Sequence, residues 1–297
     1  AKRLGVKIRD EAFQLLREDS QNIVDGFYPK KVLKPESPLT HMLRFLKIAK
    51  DMREVYARRV SKKIKITDDK FKDYPNYFKQ NFHFQTGGYL SSESAELYNH
   101  QVEILFTGMA DAMRRSFLKP LKKMSTEPHP HFLEIAAGTG ITSRFVKMAF
   151  PESTITVSEL SETYLAQAKK DLKKFNDISF CRADATELPF ADASFDATYQ
   201  VFLLHELPLK ERIETLKEQW RVTKDNGFMI IVESLQLDDK KELNEVLFDF
   251  PKKYHEPYFK NYTENALEEI LSGLSGTLVH KDLPFLSKCL IFQKKAL

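Results

Sequence analysis

The sequence has little of what marks a secreted or membrane-spanning chain. It holds only two cysteines, Cys181 and Cys289, both in apolar, strand-like surroundings. That excludes a disulfide framework and fits a reducing compartment, with each thiol expected to be buried and inert. No apolar run approaches the ~20 residues a bilayer-spanning helix needs. The longest, such as Phe228 to Val232, are strand-sized. The opening Ala1-Lys2-Arg3-Leu4 carries charge with no apolar stretch behind it and does not read as a signal peptide; it also lacks a methionine, which fits a processed or trimmed start. The resulting expectation is a cytoplasmic protein, or one in another reducing compartment. Internal repeats and low-complexity segments are absent too, which argues against a solenoid or a disordered tail.

Charge is small in sum and uneven in place. The net charge is +4, yet residues 1–65 hold 17 Lys/Arg against 8 Asp/Glu. A basic arm of this kind can bind nucleic acid or an anionic surface. It can equally be a solvated helical face, and the alternation of its charges with apolar residues at helical spacing favours that second reading.

With 42% apolar and 12% aromatic residues in 297, the chain can build one large or two moderate domains. Helices are expected over 10–19 and 39–60, the second with Leu39, Met42, Leu43, Phe45, Leu46, Ile48 and Ala49 largely on one side. Pro29, Pro35 and Pro38 should break the chain between them. The stretch from Phe71 to Tyr89 is rich in aromatics and ends in Gly87-Gly88. Ser91-Ser92-Glu93-Ser94 offers N-caps for a helix over 94–106, followed by another over 108–123. Thr126 to Pro130, with two prolines, reads as a linker. Residues 1–128 are thus expected to form a helical cap region, and residues 129–297 a second domain.

From residue 131 the rhythm changes. Strands are expected at 131–136, 154–158, 178–182, 195–201, 228–233, 277–282 and 286–293, with helices at 141–150, 161–175, 209–223 and 263–273. Alternating strand and helix implies an α/β fold with a mostly parallel sheet. Leu283-Pro284-Phe285 is too short for a crossover helix, so the last two strands should pair antiparallel.

Three loops carry chemistry. Phe132-Leu133-Glu134-Ile135-Ala136-Ala137-Gly138-Thr139-Gly140 is a strand running into a glycine loop ahead of a helix, which lets backbone and helix N-terminus approach a ligand; a tight turn alone would look the same. Glu159 ends the next strand, 19 residues beyond Gly140, where an acid can accept hydrogen bonds from two ribose hydroxyls. A helix N-terminal acid would sit there as well. Asp184-Ala185 follows the third strand, where an acid can accept from an exocyclic amine. Beyond lie Leu188-Pro189-Phe190, Ser194-Phe195-Asp196 and, at the end of strand four, Leu204-His205-Glu206-Leu207.

In order and spacing these motifs resemble the class I S-adenosylmethionine-dependent methyltransferases, over about residues 131–292. Within them the sequence is most similar to the small-molecule group that includes the ubiquinone/menaquinone C-methyltransferases. The resemblance implies a Rossmann-like seven-stranded, mostly parallel sheet with an antiparallel last strand, preceded by a helical N-terminal domain. It implies S-adenosylmethionine as cofactor and S-adenosylhomocysteine as product. It also implies residue roles: Glu134 at the methionine amino end, Gly138 and Gly140 along the methionine and ribose portion, Glu159 on the ribose hydroxyls, Leu160 against adenine, Asp184 on the adenine amine, Ala185 against the ring, and Gln200 and Leu203 beneath the methionine portion. Ala136-Ala137 departs from the Gly-Cys or Gly-Ser common in relatives and should narrow the loop's freedom.

A nicotinamide cofactor fits poorly, because Ser143 stands where the third glycine of its loop belongs. For the transfer step the candidate general base is His205, a residue that could equally pack or cap the following helix. Tyr89 and Tyr98 in the cap region, with His255 and Tyr258 in an aromatic segment after strand five, are the expected substrate contacts. Two aromatic covers point to a flat or apolar small-molecule acceptor. His129 and His131 flank Pro130 away from the expected methyl position, and no metal ligand cluster is visible, so no metal is expected. Two other readings stay open: an RNA methyltransferase using the basic N-terminal region, and a non-catalytic cofactor-binding protein. Against the first, no Asn/Asp-Pro-Pro-Tyr/Phe box follows strand four. The sequence leaves the acceptor atom and the oligomeric state open.

Overall fold

The computed structural model describes residues 2–33, 38–62 and 64–296. Its N-terminal region is helical: α1 (Lys2–Val24), α2 (Pro38–Ser61), α3 (Ser92–Leu105), α4 (Ala110–Arg114) and α5 (Leu118–Met124). There follow β1 (His131–Ile135), α6 (Ile141–Ala149), β2 (Thr154–Glu159), α7 (Glu162–Leu172), β3 (Ile178–Arg182), β4 (Phe195–Val201), α8 (Leu209–Val222) and β5 (Thr223–Ser234). The chain closes with α9 (Asn244–Lys253), α10 (Phe259–Glu264), α11 (Leu267–Leu271), β6 (Gly276–Asp282) and β7 (Ser287–Lys294).

The seven strands form one sheet in the order β3-β2-β1-β4-β5-β7-β6. β1 pairs parallel with β2 and β4, β2 with β3, and β4 with β5, while β7 runs antiparallel to both β5 and β6. This is the Rossmann-like sheet expected, antiparallel last strand included. Side chains alternate across it. Phe132, Val157, Tyr199 and Ile230 join Phe145, Val146, Phe117 and Leu121 in one core layer. On the other face Met229, Ile231 and Leu290 pack on Leu216, Trp220, Tyr262 and Leu271. Burial on both faces explains why the central strands read as near-continuous apolar runs.

Several boundaries differ from the sequence reading. The helix expected over 10–19 spans all of Lys2–Val24. Pro38 opens α2 instead of ending a break, as suits a residue whose missing N–H is no loss in a first turn; Pro35 lies outside the described residues. The helix expected over 108–123 is two short ones, parted at Arg115 to Phe117. The one expected over 263–273 is split between α10 and α11. β5 begins early, at Thr223, and its register against β4 jumps from Phe195↔Thr223 to Ala197↔Phe228. Residues Lys224 to Gly227 form an irregularity inside the strand, with Asn226 at φ 61°.

Helix α2 is oriented against its amphipathicity. Leu39, Met42, Leu43, Phe45 and Leu46 are all at least half exposed. Polar groups face the body instead: Arg58 donates to the Phe84 carbonyl at 2.7 Å and to Thr86 Oγ1 at 2.6 Å, and Lys47 reaches Glu96 at 2.7 Å. Helix α1 also turns a polar group inward: its Asp19 takes two hydrogen bonds from buried Arg115 (2.9 and 2.7 Å) and one from Tyr28 (2.7 Å).

Candidate active site

In the sheet, chain order reverses between β1 and β4, so the carboxyl ends of these strands open a crevice, the usual ligand position in such folds. The glycine loop after β1 rims it. Ala136 takes φ 51° and Gly138 φ 57°, left-handed values that suit glycine and strain alanine. Gly140 serves packing instead: it has φ 73°, and a Cβ there would lie 2.7 Å from Leu172 Cδ1 on α7.

A first cavity is lined by this loop, by Glu134, Glu159 and Leu203, and by Tyr89, Tyr98 and Arg114 from the N-terminal region. Glu159 ends β2 and is 6% exposed. Its carboxylate accepts from the Gly138 and Ser161 backbone N–H groups, each at 2.8 Å. Burial pushes its pKa up to about 7, with those N–H groups opposing the rise. Glu134 is buried and accepts from the Ser143 N–H at 2.9 Å and from the Ser143 hydroxyl; burial outweighs these bonds and lifts it to about 8. Arg114, 2% exposed, pairs with Asp111 at 2.8 Å. Carboxyl groups and a guanidinium thus line one cavity, which suits the amino and carboxylate groups of an amino-acid end.

A second cavity abuts the first, and the two share Tyr98, Phe202 and Glu206. Its walls are apolar, with Val102, Phe106, Leu247, Phe250 and Phe259 among them, and its polar lining is His83, His205, Glu206 and Ser234. Phe202, at the junction, holds φ 59°, a left-handed conformation costly for an aromatic residue and typical of functional sites.

The 3₁₀ turn Leu204–Glu206 after β4 carries the polar end. Glu233 on β5 organises it, accepting from the Leu204 N–H at 2.6 Å while its other oxygen lies 2.7 Å from His205 Nδ1. That leaves His205 Nε2 toward the cavity, 4.0 Å from Glu206 Oε1. Burial lowers the basicity of His205, but the Glu233 carboxylate outweighs it and raises the pKa to about 9. The Tyr89 hydroxyl donates to Glu206, whose own pKa burial raises. His83 completes the cluster. Its Nε2 lies 3.0 Å from Glu256 Oε1 and 3.9 Å from Glu206 Oε1. Burial again works against its charge, and Glu256 and Glu206 raise it to about 10. His83, Glu206 and Glu256 each offer one ligating atom within 4.8 Å of the others.

Of the residues singled out from sequence, the structure brings Glu134, Gly138, Glu159, Leu203, Tyr89 and Tyr98 to the first cavity and His205 to the second. Others lie elsewhere. Gln200 is fully buried behind β4 and bonds Gln219 at 2.8 Å. Asp184 accepts from Thr186 and from the Tyr77 hydroxyl, the latter at 3.2 Å. Ala185 packs with Leu133, Ile135 and Leu188. The Leu160 carbonyl accepts from Arg182 at 3.2 Å. His255 faces Gln80 at 3.2 Å, and Tyr258 packs beside Phe82. Gly140 meets α7, as above. Sequence reasoning missed His83, Arg114, Phe202 and the preference for Glu256 over its neighbour His255. Only the polar residues interrupting aromatic segments hinted at them.

A family model described as "Methyltransferase domain" matches residues 132–227. The chain is 30% identical to the ubiquinone/menaquinone biosynthesis C-methyltransferase UbiE of Rickettsia bellii over 192 residues, covering 62% of this chain and 70% of that protein. It is 31% identical to the UbiE of Rickettsia massiliae over the same shares. Among solved structures, a putative S-adenosyl-L-methionine-dependent methyltransferase from Methanococcus maripaludis aligns with TM-score 0.50 at 15% identity, covering 70% of this chain and 94% of its own. A putative methyltransferase in complex with the Haloferax volcanii Trm112 activator aligns with TM-score 0.53 at 14% identity, covering 69% and 97%. These two likenesses concern the fold alone. The glycine loop, the acid ending β2, the sheet order and the identity to relatives agree: the chain belongs to the class I S-adenosylmethionine-dependent methyltransferases, in the group that holds the ubiquinone/menaquinone C-methyltransferases.

Proposed function

We propose that the chain methylates a ring carbon of a small, apolar acceptor that carries an ionisable oxygen, as a phenol or hydroquinone does. One observation carries this reading. The donor-side cavity opens at Tyr98, Phe202 and Glu206 onto a second cavity that is apolar except where His205 and its neighbours face it. The names of the Rickettsia relatives, which specify C-methylation in quinone biosynthesis, support the same acceptor class.

The cofactor fits the first cavity. Glu134 and Arg114 would face the amino and carboxylate groups of its methionine end, and Glu159 its ribose hydroxyls. At the adenine end Asp184 would have to exchange its bond from Tyr77 for one from the base. When bound, the cofactor supplies an electrophilic methyl on a sulfonium. The protein's part is then to align the acceptor carbon and exclude water. In its neutral form, populated as pH rises towards 9, His205 keeps Nδ1 turned to Glu233 and has Nε2 available to accept the proton of the acceptor hydroxyl, which concentrates electron density on the ring carbon. The aromatic residues of the first 128 positions, Tyr89 and Tyr98 foremost, would close the site as a cap. His255 and Tyr258, half-buried outside both cavities, would support that cap from behind.

The test is His205→Gln and Glu233→Gln, assayed with hydroquinone and phenol acceptors alongside calorimetric titration with S-adenosylhomocysteine. The expected outcome is product affinity within threefold of wild type and turnover reduced 10²–10⁴-fold, the usual weight of a general base. Unchanged turnover would refute the assignment. Methylation of RNA in preference to every ring acceptor would refute the substrate class.

A further inference from the structure

We propose that His83, Glu206 and Glu256 form a site for one divalent first-row cation, such as Mn²⁺ or Zn²⁺, at the polar end of the acceptor cavity. The three residues come from separate parts of the chain: a 3₁₀ turn in the aromatic N-terminal segment, the turn after β4, and the loop between α9 and α10. Their ligating atoms lie within 4.8 Å of one another, with His83 Nε2 at 3.0 Å from Glu256 Oε1 and 3.9 Å from Glu206 Oε1. Around an ion with bonds of ~2.1 Å, donor atoms at right angles lie ~3.0 Å apart and opposed ones ~4.2 Å apart. The trio therefore needs only small adjustment to enclose one.

Glu256 points to a ligand independently of that spacing. Its side chain has no exposed surface, and beyond the 3.0 Å ion-pair contact with His83 neither carboxylate oxygen has a hydrogen-bond donor among the described residues. A buried carboxyl group left short of donors is costly for a fold to hold. One imidazole and two carboxylates suit Mn²⁺ or Zn²⁺ better than Mg²⁺, which prefers oxygen ligands and retains water.

Three protein ligands leave positions open, and Glu206 and His83 both line the acceptor cavity. An oxygen of the acceptor can occupy one, next to His205 Nε2. Only this last point rests on the proposed function; cation affinity does not.

The experiment titrates the chelator-dialysed protein with Mn²⁺ and Zn²⁺ by calorimetry, with the Mn²⁺ paramagnetic resonance spectrum as a second readout. Wild type should bind one equivalent. Glu256→Gln and His83→Gln, which keep side-chain size, should each weaken binding at least tenfold while S-adenosylhomocysteine affinity stays within threefold. Circular dichroism and thermal melting establish that the variants are folded, and two variants guard against one failing. Absence of stoichiometric binding to wild type overturns the site. So does equal affinity in either folded variant, which would place the ion elsewhere. If cation binding holds while no ring acceptor is methylated, the site stands and the acceptor reading falls.

Discussion

The Tyr89 hydroxyl donates a hydrogen bond to the Glu206 carboxylate, although the two residues lie 117 positions apart. This contact joins the aromatic N-terminal segment to the turn after β4, at the junction of the two cavities. Tyr89→Phe keeps the ring packing on Phe82 and Tyr164 and removes only the donor. A hydrogen bond to a charged group contributes about 1.5–3 kcal/mol. Melting in denaturant should show a loss of that size, and the acceptor KM should rise. Unchanged stability and KM would mean that the segment is held by ring packing alone.

In its proposed place at the ribose hydroxyls, Glu159 should govern the pH dependence of cofactor affinity. Its pKa stands at about 7 against an ordinary 4.5, chiefly from burial. Ribose hydroxyls donate to the ionised form, so S-adenosylhomocysteine affinity should fall as pH drops below about 7. For the free fold the sign is opposite: a raised carboxylate pKa means stability lost as pH rises from 4.5 towards 7. Calorimetry at pH 6 and 8 on wild type and Glu159→Gln checks both. The variant should bind at least tenfold more weakly at pH 8, with a flattened pH profile.

Glu268 makes the opposite prediction. It bonds Lys281 at 2.6 Å and Lys288 at 2.9 Å; burial alone would raise its pKa, but these cations hold it down to about 2. Its contribution to stability is therefore complete above pH 4.5 and lost as pH falls towards 2. Glu268→Gln should cost about 1–2 kcal/mol at pH 7, the pKa shift being discounted for a side chain partly open to solvent, with the difference from wild type shrinking below pH 4. Urea titrations at pH 7 and 3 measure it.

Arg115 and Asp19 are 3% and 5% exposed and bound by two hydrogen bonds. Removing one partner strands a buried charge, at about 3–5 kcal/mol. Arg115→Leu should show that loss in denaturant unfolding. The double variant Arg115→Leu/Asp19→Leu should recover part of it. No recovery would mean that the two residues are not energetically coupled to each other.

The catalytic sheet was legible because its signals are local. Strand runs from Phe132, Thr154, Phe195 and Phe228 declare themselves by apolar periodicity, and Gly138 and Glu159 by their distance along one β-α-β unit. The N-terminal region was legible only as helix. Arg115–Asp19 and Tyr89–Glu206 are side-chain pairings across 96 and 117 positions, which no periodicity encodes. For α2 the apolar stripe did not decide the orientation: the Lys47–Glu96 ion pair and the hydrogen bonds of Arg58 to Phe84 and Thr86 turn its polar side to the body.

By itself, then, the sequence determined the fold, the cofactor and one wall of its pocket, since these depend on backbone periodicity and on residues close in the chain. Tertiary structure decided the acceptor side. Whether His255 or Glu256 meets His83, and whether Gln200 reaches a cavity or hides behind β4, depends on which way a side chain leaves its backbone and on what desolvates it. Adjacent residues differ in that by half a turn of strand or loop. The cluster of His83, Glu206 and Glu256 exists only once three distant segments come together.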